Sequence, residues 1–130
     1  MSEVRPLVLH DAPCDEGWDD DVHGRVAWRT LWSADRTPTE ALTAGVAELA
    51  PGDRLAPHRH SPPELYYVLA GEGVVTMEDA EHDVRAGTAV FIPGDARHGI
   101  RNTGPGPLRF LYAFAVDAFG EVEYRYDTAP

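Results

Sequence analysis

The run His58-Arg59-His60-Ser61-Pro62-Pro63-Glu64-Leu65-Tyr66 decides how the rest of the chain is read. Side chains alternate faces along a strand, so His58 and His60 point to one side of an extended segment. Pro62 and Pro63 then bend the chain, because neither donates a ladder hydrogen bond and each fixes φ. Glu64 follows that bend. A second run, Pro93-Gly94-Asp95-Ala96-Arg97-His98, ends in another histidine beside a turn. Three neutral imidazoles and a carboxylate are a normal ligand set for one divalent transition ion (Fe, Mn, Ni, Co, Zn or Cu), and the mixed set does not choose among them. His58, His60, Glu64 and His98 are therefore the candidate metal ligands. Tyr66 lies two residues beyond Glu64, so its phenol faces the ligand side and Tyr67 the other.

Glycines frame both runs. Gly52, five residues, His58-x-His60, three residues, Glu64, six residues and Gly71 form one block, residues 52–71. Gly87, five residues, Pro93, four residues, His98, three residues and Asn102 form the second, residues 87–102. In this spacing the blocks resemble the two signature motifs of the cupin superfamily. One position departs: Asp95 stands where that family has glycine two residues after the proline. The resemblance implies an all-β double-stranded β-helix, or jelly-roll barrel, spanning residues 1–130 as one domain with the metal inside. Within the superfamily the chain is similar to the small dimethylsulfoniopropionate lyases in length, in the four ligands and in Glu64-Leu65-Tyr66. That likeness implies Tyr66 as general base on a metal-held carboxylate substrate, with Tyr124 as the second helpful tyrosine.

The rest of the chain agrees with an all-β reading. Arg25–Trp32 alternates, with Val26, Trp28, Thr30 and Trp32 on one face. Leu42–Leu49, Leu65–Leu69, Val74–Glu78, His82–Arg85, Ala89–Ile92, Ile100–Asn102, Leu108–Val116 and Val122–Tyr126 are further short β-prone runs, separated by Gly, Pro and Asp. Val4–Leu9 reads as an edge strand and the acidic Asp11–Asp21 as an exposed loop, from which Trp18 packs back onto the body or a partner chain. Some ten strands at even spacing make a closed jelly roll. The only place for a helix is Asp35–Thr43, where none is expected.

Composition bounds the function. The 130 residues carry 22 acids against 11 bases, a net charge of −11, which disfavours nucleic acid and anionic membranes, is compatible with a cationic or zwitterionic small molecule, and reads first as a solvated acidic surface that aids solubility. No apolar run reaches the roughly 20 residues that span a bilayer, and no basic-then-apolar leader opens the chain, so the expected place is the cytoplasm. The lone Cys14 agrees with a reducing compartment and receives no catalytic role.

His10, His23 and His82 are read as structural or exposed. Tyr124 and Tyr126 share a strand face that brings a second phenol to the barrel, while Phe110, Tyr112 and Phe114 share a core face. Arg101 and Arg109 are candidates for a substrate carboxylate should either face inward, and Trp28, Trp32, Met77 and Phe91 line the cavity or a homodimer contact. The sequence reading is thus a homodimeric metal-dependent enzyme on a small carboxylate, a lyase or isomerase using Tyr66. The alternatives are an iron-dependent dioxygenase, a biosynthetic rearrangement enzyme and a non-catalytic binding cupin.

Overall fold

The computed structural model describes residues 3–127. Eleven strands account for nearly all of its regular structure: β1 (Glu16–Asp20), β2 (Gly24–Trp32), β3 (Thr43–Leu49), β4 (Arg54–Arg59), β5 (Glu64–Ala70), β6 (Glu72–Met77), β7 (Ala80–Arg85), β8 (Ala89–Ile92), β9 (His98–Asn102), β10 (Leu108–Phe114) and β11 (Arg125–Tyr126). Nine of them follow one antiparallel path, β7-β6-β9-β4-β2-β3-β10-β5-β8, with β1 added to β2 and β11 to β4. The path turns a corner where β2 meets β4 at the pair Gly24–Leu55, so the sheet closes over its own apolar face as a jelly-roll barrel.

Period-two burial builds that interior. Along β5, Glu64, Tyr66 and Val68 face in while Leu65, Tyr67 and Leu69 face out. Along β10, Leu108, Phe110, Tyr112 and Phe114 face in, opposite Val75, Ile100 and Leu55 from the facing strands. Each fully buried large side chain contributes roughly 1.5–3 kcal/mol, and these rings sit at the centre of the barrel. Gly71 makes the β5–β6 turn: its φ is +85°, and a Cβ there would collide with the Pro107 carbonyl oxygen.

Four details differ from the sequence reading. Val4–Leu9 is extended but belongs to no strand. Its segment is tied at Arg5 to Pro38, at His10 to Arg29 of β2 and at Asp11 to Arg109 of β10, so it crosses the strands and cannot run along one of them. Within the acidic stretch, Glu16–Asp20 is a strand paired with β2 from Glu16–Trp28 to Asp20–Gly24. Aspartates are poor strand residues, yet here Asp19 and Asp20 project from an edge, where charge discourages further pairing. The C-terminal strand is shorter than Val122–Tyr126 and is preceded by one 3₁₀ turn, Phe119–Glu121. Finally, Arg101 and Arg109 both face outward, paired with Glu81 (2.7 Å) and Asp11 (2.5 Å). As expected, Asp35–Thr43 holds no helix, and no described helix is long and apolar enough to cross a membrane.

Candidate metal centre and its pocket

Four side chains, three on strands and one just beyond the end of β4, converge inside the barrel. His58 lies on β4 and His98 opens β9, directly opposite it in the ladder. Pro57 has no N–H to give that ladder, and the β4–β9 register shifts there, between Leu55 and His58. His60 follows the end of β4, and Glu64 opens β5 after the Pro62-Pro63 bend. All four are buried, and one ligand atom from each lies within 4.8 Å of the others.

Backbone carbonyls orient every ring the same way. His58 Nδ1 lies 2.8 Å from the Ala56 carbonyl, His60 Nδ1 2.8 Å from Pro62 and His98 Nδ1 2.9 Å from Ala96. A carbonyl only accepts, so each Nδ1 carries a hydrogen and each neutral ring turns its Nε2 lone pair inward. There Glu64 Oε1 sits 3.1 Å from His60 Nε2 and 3.2 Å from His98 Nε2, while buried His58 Nε2 has no partner. Acceptors converging on one point repel one another unless a cation lies among them. The donor set and its carbonyl-held tautomers fit a single divalent first-row ion.

Burial, and next the neighbouring His98, pushes the His58 pKa from 6.5 down to about 3. In metal-free protein the unfolded chain takes up this proton below about 6.5, whereas the native state resists until about 3. The stability that His58 contributes is therefore intact above 6.5 and is lost as pH falls through that window, by about 1 kcal/mol per pH unit. The melting temperature of metal-free protein should fall steadily across the same interval, and a flat profile would show the ring to be less buried than it is here.

Asp95 occupies the turn of the second motif with φ of +64°, the left-handed conformation that aspartate tolerates better than most residues. Its amide donates to the His60 carbonyl (2.8 Å), its own carbonyl accepts from Arg59, and its carboxylate pairs with Arg125. The departure from glycine thus costs the turn little and ties it to β11.

A sequence model of the cupin domain matches residues 45–114, which contain all four ligands. The chain is a cupin. A dimethylsulfoniopropionate lyase of Ruegeria pomeroyi, DddW, is 46% identical over 110 residues, covering 85% of this chain and 72% of that protein. Protein SchB of Streptomyces halstedii is 40% identical over 111 residues, 85% of this chain and 76% of that one. Among solved structures, the polyketide cyclase RemF of Streptomyces resistomycificus superposes with a TM-score of 0.77 at 19% identity, over 97% of this chain and 88% of that one, which shows shared fold.

In this cupin Glu64, one of the four clustered residues, lines a narrow cavity of about 30 Å³. That holds about two waters, so a larger molecule enters only as side chains move aside. Tyr66, as the alternation required, faces this cavity at 1% exposure, and its hydroxyl is buried without a partner. Burial, then the charges of Glu64 and Tyr126, hold its phenol well above the ordinary value of 10. Base chemistry at neutral pH therefore needs a positive charge beside it. Tyr124 stacks on His58 (4.6 Å, 24°), and burial and Glu64 raise its phenol too. Phe110 and Tyr112 line the cavity as well as the core.

The feature that sequence reasoning missed is a closed ring of four aromatics over the cluster. Trp18 meets Trp28 at 4.7 Å, Trp28 meets Phe119 at 6.3 Å, Phe119 meets Tyr124 at 5.9 Å, and Tyr124 returns to Trp18 at 5.4 Å. The four residues come from β1, β2, the 3₁₀ turn and the segment before β11. The one signal available was Trp18, a large apolar residue isolated among acids. Of the other candidates for the cavity or dimer contact, Phe91 is 70% exposed on the outer face, and Met77 packs against the core.

Gly45 sets the width of the cavity. It faces Tyr112 across β3–β10, and a Cβ there would collide with the Tyr112 phenol and the Arg29 carbonyl oxygen. Gly45→Ala should destabilise the protein by about 1–3 kcal/mol, typical of overpacking. Chemical denaturation would measure it, and an unchanged midpoint would mean that Tyr112 moves aside freely.

Proposed function

We propose that the protein is a metal-dependent lyase that eliminates dimethyl sulfide from dimethylsulfoniopropionate, with Tyr66 as the base. The observation that carries this reading is the pairing of a carboxylate-compatible metal centre with an aromatic ring and no inward arginine. A substrate with a carboxylate at one end and an onium group at the other suits both halves. Aromatic faces attract such cations by about 0.5–2 kcal/mol each, more when water is excluded. The net charge of −11 favours the same class of ligand.

A divalent ion held by His58, His60, Glu64 and His98 would supply a binding point for the carboxylate and acidify the carbon next to it. The chain's own groups do the rest. The Tyr66 oxygen takes the proton from that carbon, and the freed pair forms the carbon–carbon double bond. The carbon–sulfur bond breaks with its electrons on sulfur. Dimethyl sulfide, acrylate and one proton on Tyr66 result, and no oxidant is consumed. Trp18, Trp28, Phe119 and Tyr124 surround the sulfonium and exclude water. The 46% identity to DddW, a dimethylsulfoniopropionate lyase, supports the reading.

The test is an anaerobic, sealed assay of protein loaded in turn with Fe, Mn, Ni and Zn, reading dimethyl sulfide and bound metal together. Release without oxygen is the expected result. A metal-filled protein that releases none would overturn it, and oxygen consumption with another small acid would favour the dioxygenase alternative.

We also infer a homodimer through the outer face of β5 and β8. Leu65, Tyr67, Leu69 and Phe91 are exposed there, with Leu65 and Phe91 paired in register. On a chain of net charge −11, an uncharged face is where a second copy approaches without repulsion. Light scattering should give twice the chain mass, falling to the single mass in Phe91→Asp; a monomeric wild type would refute the dimer.

A further inference from the structure

The closed cavity beside Glu64 holds about two waters, so a larger ligand of the metal centre enters only when a wall moves. Most of the walls are fixed. Val26, Ala47, Leu55, Tyr66 and Phe110 stand on β2, β3, β4, β5 and β10, each paired along both edges. The segment that carries Phe119 is pinned residue by residue. Thr43 Oγ1 donates to the Val116 carbonyl (3.0 Å), and the N–H groups of Ala34 and Ala41 donate to Asp117 (2.8 and 2.7 Å). Ala118 N–H donates to Glu121 (2.8 Å) and Phe119 N–H to Ser33 Oγ (2.9 Å). Tyr124 is stacked on His58.

Trp18 stands on the one wall that is loosely built. Its strand, β1, is paired with β2 alone, and in Glu16-Gly17-Trp18-Asp19-Asp20 only the tryptophan favours a strand. An edge strand with exposed hydrogen bonds and few buried side chains is among the first elements to open locally. The two ends of β1 are held differently. At the hairpin tip Asp20 accepts from the backbone N–H of Val22 (2.8 Å) and of His23 (2.7 Å), and the His23 carbonyl accepts from Ala56 N–H of β4 (2.7 Å). Gly24 follows at φ +94°, where a Cβ would collide with the Arg54 carbonyl oxygen, so this end is seated on the barrel. At the other end Glu16 takes both arms of the Arg36 guanidinium (2.8 and 2.9 Å) and the Thr30 hydroxyl (2.9 Å). Arg36 belongs to the ordered loop after β2, where its N–H donates to the Ser33 carbonyl (2.8 Å). Its side chain is 52% exposed, so the pair is well aimed yet screened by water, a bond that breaks and re-forms readily.

We propose that β1 is the door to the metal pocket, hinged at the hairpin tip and latched by the Glu16–Arg36 pair, and that Trp18 moves out with it to admit a ligand. Glu16 and Arg36 are thus positioning residues: neither lines the cavity, and together they hold the aromatic ring closed. The door serves any ligand of the metal centre, whether or not the reaction is the elimination above.

Cobalt-loaded protein reports opening through its absorption, which changes when picolinate, a carboxylate too large for the closed cavity, reaches the ion. Arg36→Gln removes the charge and the fork of the latch and leaves the ring residues untouched. Picolinate arrival and hydrogen exchange of the β1 amides should both speed up about 2- to 5-fold, the factor that an exposed ion pair is worth, while exchange in β3 and β10 stays as in wild type. A second variant bolts the door. Asp19 and Arg25 are exposed and directly opposed on β1 and β2, beside Trp18, so Asp19→Cys/Arg25→Cys in a Cys14→Ser background can be joined by a cross-strand disulfide. Oxidised, this protein should lose fast picolinate uptake, and reduction should restore it. Equal uptake in the oxidised and reduced forms would place the entrance elsewhere and overturn the door. Unchanged exchange and uptake in Arg36→Gln would overturn the latch. Neither measurement involves turnover, so a protein that releases no dimethyl sulfide overturns the lyase reading alone.

Discussion

Tyr66→Phe should lower dimethyl sulfide release by about 10²- to 10⁴-fold, the range that a positioned acid–base group contributes, and leave metal content unchanged. The structure makes this variant unusually clean. The Tyr66 ring packs on Phe110 at 4.7 Å, and that contact survives in phenylalanine. Its hydroxyl has no hydrogen-bond partner, so removing it breaks no bond and relieves a buried unsatisfied group. Stability should hold or rise while activity disappears. Headspace assay, metal analysis and thermal melting on the same preparation separate the two effects. Turnover equal to wild type would remove Tyr66 from the chemistry, and a collapse in stability would show an unseen structural role for the hydroxyl.

His60→Ala should empty the metal centre. His60 contributes one of four converging donor atoms, and alanine offers none in its place. Loss of a mere orienting partner costs roughly 10- to 100-fold in metal affinity, and loss of a ligand exceeds that. Metal measured after dialysis should drop from one ion per chain to near none, with dimethyl sulfide release lost in parallel. Full occupancy would take His60 out of the ligand set. The variant also opens space beside Phe114, whose ring lies 5.2 Å from the imidazole, so a lower melting temperature accompanies the metal loss.

Much of the barrel and all four residues of the buried cluster were legible in the chain itself. His58 and His60 share a face because strand geometry has period two, and their carbonyl partners lie only two residues away along the backbone. Such local relations survive in one dimension. The same logic placed Tyr66 inward and Tyr67 outward, whereas Tyr124 was singled out by the family resemblance and stacks on His58. It failed at β1, where aspartates concealed a strand whose single inward aromatic, Trp18, mattered most. It failed again at Val4–Leu9, where an apolar run lies across the sheet, because pairing depends on which edges other strands have left free.

What the sequence by itself determined is therefore the strand pattern, the four residues of the candidate metal cluster and the side to which Tyr66 points, read from motif spacing and strand alternation. Closure of the barrel decided the rest. It turned Arg101 and Arg109 to the surface, brought Trp18 within 5.4 Å of Tyr124 from the other end of the chain, and set His23 against Tyr126. Those contacts join residues about a hundred positions apart, and no local propensity encodes them. They exist because β11 pairs with the strand that carries His58, and β1 pairs with β2, which meets that same strand at Gly24–Leu55.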